Sequence, residues 1–175
     1  MDMYSLYNNT KEWFDLVDIL YAEEEIHSGN NLERVLKINL NYKYDGKCSI
    51  NFIFVPSGMV AIRLRHFGIL KKDVSIEQVL CELNRANIQV NGFKFCLEED
   101  KLALFIDEWV CDDTKSIASF LTNVTVLLNA MNSGTLNRKF VLDDLFLKQF
   151  DDAVLEDVSR KMGRLTITLR NSLNL

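Results

Sequence analysis

A chain of 175 residues is the right length for one domain with a proper core, and its 48% hydrophobic and 26% charged residues are ordinary globular usage, which excludes a disordered chain. The formal charge of -5 makes broad contact with a phosphate backbone unfavourable, since that contact needs clustered Lys and Arg to displace counterions, so nucleic acid is not an expected partner. Apolar stretches such as Ile50 to Val60 are interrupted by polar residues and fall short of the ~20 residues a membrane-spanning helix requires.

The first residues, Met-Asp-Met-Tyr-Ser-Leu-Tyr, carry neither a basic start nor an apolar run, so a cytoplasmic protein without a secretory leader is expected. From Thr10 to Ile26 the apolar residues Trp13, Phe14, Val17, Leu20 and Tyr21 follow helical spacing, with Thr10 as N-cap candidate and Glu23, Glu24 and Glu25 as a fraying end. From Val35 to Tyr44 the pattern changes to alternation, with Leu36, Ile38, Leu40, Tyr42 and Tyr44 on one face and Lys37, Asn39, Asn41 and Lys43 on the other. Asp45-Gly46 is a favoured two-residue turn, Cys48 to Val55 the returning strand, and Pro56-Ser57-Gly58 the break before a third strand, Met59 to Phe67. These three strands predict a meander.

Ser75 and Gln78 have capping-box form ahead of a short amphipathic helix that carries Ile76, Val79, Leu80 and Leu83 and ends near Asn87. Two strands follow, Gly92 to Leu97 and Leu102 to Val110, joined by a turn at Glu98-Glu99-Asp100-Lys101. The second is apolar on both faces, as in a central strand or one covered by a second molecule. Asp113 or Thr114 can cap the next helix, which runs through Ile117, Phe120, Leu121, Val124 and Leu128 to Met131. After Gly134 the spacing predicts a helix over Leu142 to Met162 with Gly163 as its stop, and Arg164 to Leu175 leaves strand, helix and docked tail open. The expected fold class is α+β, an α-β-β-β-α-β-β-α sandwich over residues 1-132 with a twisted antiparallel sheet packed by helices. Residues 133-175 form a C-terminal helical extension packed on the same domain.

Little in this order carries reaction chemistry. Nucleophilic catalysis needs an activated Ser or Cys beside a base, and the chain has only His27, in an expected loop, and His66, at a strand end. The pairs Asp112-Asp113, Asp143-Asp144 and Asp151-Asp152 suit hard cations as ligands, yet each sits near an expected helix start, where capping explains the charge. Cys48, Cys81, Cys96 and Cys111 form no CxxC pair and read as reduced, mostly buried thiols. No catalytic residue, metal or cofactor is expected. Arg63 and Arg65 alternate on one face of the third strand, where they either grip a carboxylate or phosphate or stand as solvent-facing charges.

The stretch Leu83-Asn84-Arg85-Ala86-Asn87, running into Val90-Asn91-Gly92-Phe93-Lys94-Phe95 and the hairpin Leu97-Glu98-Glu99-Asp100-Lys101-Leu102, resembles the YbjN family of bacterial proteins, itself similar in fold to type III secretion chaperones. The resemblance covers roughly Thr10 to Met131. It implies an α/β sandwich assembled as a homodimer whose apolar grooves hold an extended stretch of client polypeptide.

Residues and resemblance together point to a non-enzymatic protein-binding module, chaperone-like or regulatory, that holds an apolar segment of a partner protein. Phe67, Phe105 and Trp109 are the candidate anchors, with Arg63 and Arg65 beside them. The alternative is a small-ligand sensor or enzyme, with a pocket between the sheet and the helix at 114-131 lined by the two arginines and acidic residues.

Overall fold

The computed structural model describes residues 3–29, 31–41, 48–89, 92–110, 114–133 and 142–172. They form α1 (Met3–Leu16), β1 (Ala22–Ser28), β2 (Asn31–Asn39), β3 (Ser49–Phe54), β4 (Met59–Leu70), α2 (Ile76–Gln89), β5 (Lys94–Glu98), β6 (Lys101–Trp109), α3 (Thr114–Asn132), the single turn α4 (Leu142–Leu145), β7 (Phe146–Lys148) and α5 (Asp152–Ser172). The fold is α+β, as expected. Its antiparallel sheet has seven strands in the order β1-β2-β3-β4-β6-β5, with β7 laid beside β4.

The first departure from expectation lies at the N-terminus. Thr10 does not cap α1 but sits inside it, its hydroxyl donating to the Leu6 carbonyl at 2.8 Å. The helix stops at Leu16 because Asp18 turns left-handed at φ 57°, while Ile19 N–H donates to Phe14 C=O at 2.9 Å and Asp18 N–H to Asp15 C=O at 3.2 Å. That is a Schellman ending with Asp where Gly is usual. Glu23, Glu24 and Glu25, expected as a fraying helix end, instead lie in β1, paired antiparallel with Leu36, Val35 and Arg34. Lys11 at 2.7 Å and Tyr7 at 2.5 Å hold Glu23, and Lys37 at 3.1 Å holds Glu24.

The three-strand meander is present as β2, β3 and β4, but its first strand begins at Asn31 rather than Val35 and ends at Asn39, and its third continues past Phe67 to Leu70; the Asp45-Gly46 turn lies outside the described residues. Strand rows run straight across the sheet. Leu36, Phe52, Ile62 and Ile106 stand side by side, as do Ile38, Ile50, Leu64 and Leu104, and all eight are buried. Burying one such side chain contributes about 1.5–3 kcal/mol, which makes these rows the main stabilising layer. Helices cover them: Phe52 meets Phe14 of α1 at 5.3 Å and Phe120 of α3 at 6.3 Å between ring centroids, and Tyr7 meets Phe54 at 5.4 Å.

The C-terminal part is not only helical. The run Leu142 to Met162 is split by β7, which pairs Phe146 with Leu70 and Lys148 with Gly68. Asp151 Oδ1 then accepts from Ala153 N–H at 2.9 Å and starts α5, so the helix begins inside the expected one. Nor does Gly163 end it, since α5 continues to Ser172. There α5 lies against α3, with the Thr125 and Thr166 hydroxyls 3.1 Å apart and Ser159 donating to Asn129 at 2.6 Å. Leu145, Phe146, Val154, Leu155, Val158 and Met162 join the same core cluster as the sheet rows, so the described parts of both segments share one core.

Candidate functional site

Alternation along a strand gives the sheet a second face, opposite the helices. Its rows are Glu24–Val35–Ile53–Ala61–Asp107 and Ala22–Lys37–Asn51–Arg63–Phe105–Lys94. Val35, Ala61 and Ala103 on this face are 1%, 3% and 0% exposed, yet none of them belongs to the core cluster. Ile53, Met59 and Phe105 are half-buried and do not pack on the core, and Ile26 is exposed. Among the described residues no helix lies over this surface. One end holds Ile26, Val35, Ile53, Met59 and Ala61, with Glu24, Glu33 and Asp107 in the same rows. Toward the other end stand Lys37, Asn51, Arg63 and Arg65.

The structure places the five expected site residues differently from one another. Phe105 is on the open face, paired across the strands with Arg63, whose guanidinium lies over its ring at 4.4 Å. Arg63 Nη1 also donates to Asp107 at 2.6 Å and to the Ile106 and Ile62 carbonyls at 3.1 and 3.2 Å. Arg65 holds the Glu98 carboxylate with Nε at 3.2 Å and Nη2 at 3.3 Å, and His66 Nε2 lies 3.5 Å from the same group. Glu98, in the expected turn, therefore accepts two hydrogen bonds from Arg65. Both arginines grip carboxylates of their own chain, and they do not converge.

Phe67 leaves the set. Simple alternation from Arg63 and Arg65 puts it on the open face. A bulge intervenes, so that Arg65, His66 and Phe67 face Ala103 alone, with His66 left-handed at φ 57°. The extra residues turn Phe67 into the core at 6% exposure. Trp109 is paired through its backbone with Met59, and its side chain lies outside the described residues.

The expected pocket between the sheet and the helix at 114-131 is filled instead by Phe52, Phe120, Leu121, Val124 and Leu128, all buried, and the two arginines stand on the opposite face of the sheet. A cleft of about 430 Å³ exists elsewhere, where the turn Ile19 to Ala22 meets the end of β2 and α5. Its two lysines are engaged, Lys161 with Asp157 at 2.8 Å and the Asp18 carbonyl at 2.7 Å, and Lys37 with Glu24. Among the described residues no group of three or more His, Cys, Asp or Glu is placed to hold a metal ion.

Burial, then the hydrogen bond to Glu23, raises the Tyr7 hydroxyl well above the usual phenol range. Hydrogen bonds from Lys11 and then Tyr7 hold Glu23 below its ordinary value. Burial pushes the Cys48 thiol up to about 12, whereas Cys81, expected among the mostly buried thiols, is exposed on α2. Cys111 lies outside the described residues.

Sequence reasoning missed one polar residue with a defined task, Asn87. Its side-chain amide donates to the Phe95 carbonyl at 2.9 Å and accepts from Phe95 N–H at 2.7 Å. The signal is present in the stretch Leu83 to Asn87, which leads from the helix into the following strand. Compared with known proteins, the chain matches no protein-family model, no curated protein and no solved structure.

Proposed function

We propose that the chain is a non-enzymatic binding module that holds an apolar segment of a partner protein against the open face of its sheet. The observation that supports this most is the apolar area this face leaves accessible: the half-buried Ile53 and Met59 and the exposed Ile26 in adjoining rows, beside the buried Val35 and Ala61, with no described helix over them. A sheet normally buries one face and wets the other, and the wet face is then polar; a face that keeps branched apolar side chains in register suits a second apolar surface. Phe105 under Arg63 supplies an aromatic anchor with a guanidinium above it, the residue types that dominate binding at interface centres. Because both arginines already have carboxylate partners, the partner's contribution in this reading is apolar rather than anionic. Kinship with the YbjN family, residence in the cytoplasm and a chaperone-like or regulatory role belong to the same proposal.

A photo-crosslinking amino acid at Ile53, with a second at the exposed Glu156 of α5 as control, tests it in the source cell. The expected result is one dominant polypeptide joined at position 53 and absent at 156, lost on Phe105→Ala under conditions where circular dichroism shows that variant still folded. Joining to another copy of this chain would make the face a dimer interface. Equal capture at both positions would overturn the proposal.

A further inference from the structure

Asn87 occupies the last turn of α2, where its carboxamide lies against the free edge of β5. In the hairpin of β5 and β6 the two residues Glu99 and Asp100 form the loop, so Glu98 and Lys101 exchange hydrogen bonds, as do Cys96 with Ala103 and Lys94 with Phe105. The N–H and C=O of Phe95 and Leu97 consequently point away from β6. A further strand would offer Phe95 one acceptor and one donor, and the Asn87 amide offers both, at 2.7 and 2.9 Å. Lys94 Nζ donates to the Asn87 carbonyl at 2.7 Å and ties the helix end to the strand. Leu97 has no such substitute among the described residues.

We propose that Asn87 is a latch on this edge: seated, it closes β5 to strand addition, and withdrawn, it opens the edge to β5 of a second copy, antiparallel and centred on Cys96. The occupant follows from the strand's own residues, Lys94-Phe95-Cys96-Leu97-Glu98, which are self-complementary in that register. Lys94 falls opposite Glu98 of the second copy and Phe95 opposite its Leu97, so charges and apolar groups both match. Phe95 and Leu97 carry the outward backbone groups, so their pairing is the hydrogen-bonded one. Cys96 then meets Cys96 of the second copy in a non-hydrogen-bonded pair, with Cα atoms about 4.5 Å apart. That separation lies within the range of about 4.4–6.8 Å that a disulfide spans. The proposal concerns the edge alone and stands independently of the open face.

The test compares the full chain with Asn87→Ala by light scattering over a concentration series. Diamide then serves as oxidant, taking two electrons and two protons from a pair of thiols as their S–S bond forms, and peptide mass mapping locates the bond. Asn87→Ala is expected to associate about tenfold more strongly or better, since two seated hydrogen bonds no longer compete. It is also expected to give a Cys96–Cys96 disulfide that the unsubstituted chain does not. Adding Lys94→Glu, which sets like charges opposite each other, is expected to reverse both. Unchanged mass, a disulfide that never involves Cys96, or indifference to Lys94→Glu would overturn the latch. Should Asn87→Ala fail to fold by circular dichroism, Asn87→Asp carries the same test with the same outcomes, because it keeps the acceptor for Phe95 N–H and loses the donor.

Discussion

Gly68 is where the C-terminal segment is fastened to the sheet, and it offers a quantitative test of that junction. It pairs with Leu102 of β6 on one side and Lys148 of β7 on the other. A Cβ placed there would stand 3.0 Å from Phe146 Cβ and 3.5 Å from Leu102 Cβ. Carbon atoms prefer about 3.5–4.0 Å, so Leu102 is in ordinary contact and Phe146 is the neighbour that must give, by a few tenths of an ångström. Neither is the far end of a flexible side chain; both atoms are fixed to paired backbone. Overpacking of this kind costs about 1–3 kcal/mol, and the smaller unfolded-state entropy of Ala offsets about 0.4–1 kcal/mol. Gly68→Ala is therefore expected to lose about 1–2 kcal/mol, a fall of roughly 2–8 °C in Tm for a chain of this size. Urea unfolding with an unchanged m value would show that stability, not compactness, moved. The cause is checked by repeating the substitution in a Phe146→Gly background, where the 3.0 Å contact is gone and the added cost should largely vanish. A neutral or stabilising Gly68→Ala, or equal costs in both backgrounds, would refute the packing of β7 on β4.

The two phenylalanines expected as anchors should separate: Phe67→Ala, emptying a core position, is expected to cost about 3–5 kcal/mol, and Phe105→Ala, half-buried on the open face, roughly half as much, measured by urea midpoint. Glu23 has its folded pKa depressed, so its stabilisation is present above its unfolded value and is lost as pH falls through the folded one. With about half its side chain exposed the loss should be small, and Glu23→Gln should flatten the acid limb of a stability–pH curve. Tyr7 has its folded pKa raised, so its contribution is complete below the ordinary phenol value of 10.0 and declines as pH rises beyond it; Tyr7→Phe should remove that alkaline decline. A thiol reagent at pH 8 should modify the exposed Cys81 long before Cys48, which is fully buried and held protonated, and Cys48 should react only at the rate of unfolding.

What could be read from the sequence was whatever local periodicity determines. Leu36 and Ile38 against Lys37 and Asn39 fixed a strand and its buried face, and Ser75 started α2 by accepting from Gln78 N–H at 3.2 Å. What escaped was decided by residues far along the chain. Three consecutive glutamates have no strand preference of their own, and β1 exists because Lys11, Tyr7 and Lys37 meet them from α1 and β2. Phe146 to Lys148 fits a helical stripe as well as a strand, and the vacancy beside Gly68 to Leu70 made the choice. Gly163 resembled a stop but lies inside a helix that approaches Thr125 of α3, its Cβ position 3.8 Å from the threonine methyl. Phe67 was misplaced for a related reason: no pattern in Met59 to Phe67 announces the left-handed His66 that breaks the alternation.

The two edges of the sheet bear on where another protein can dock. An open sheet invites strand addition at both ends, and here each end is guarded by a different device. At β1 the guard is charge, since a strand approaching it meets Glu23, Glu24 and Glu25 in succession, and another copy of the same edge would set three carboxylates against three. At β5 the guard is a hydrogen-bonding side chain that takes the place of the missing strand. Of the guarding residues only Glu24 stands on the broad face between the edges, at the end of the row that holds Val35, Ile53 and Ala61. Since repelling charges and satisfied backbone groups both disfavour edge pairing, the lowest-cost way for a partner to bury apolar area is to lie across Ile26, Ile53 and Met59 rather than to extend the ladder. The edges would thus keep copies of the chain from joining through their backbones while the face stays free for side-chain contact.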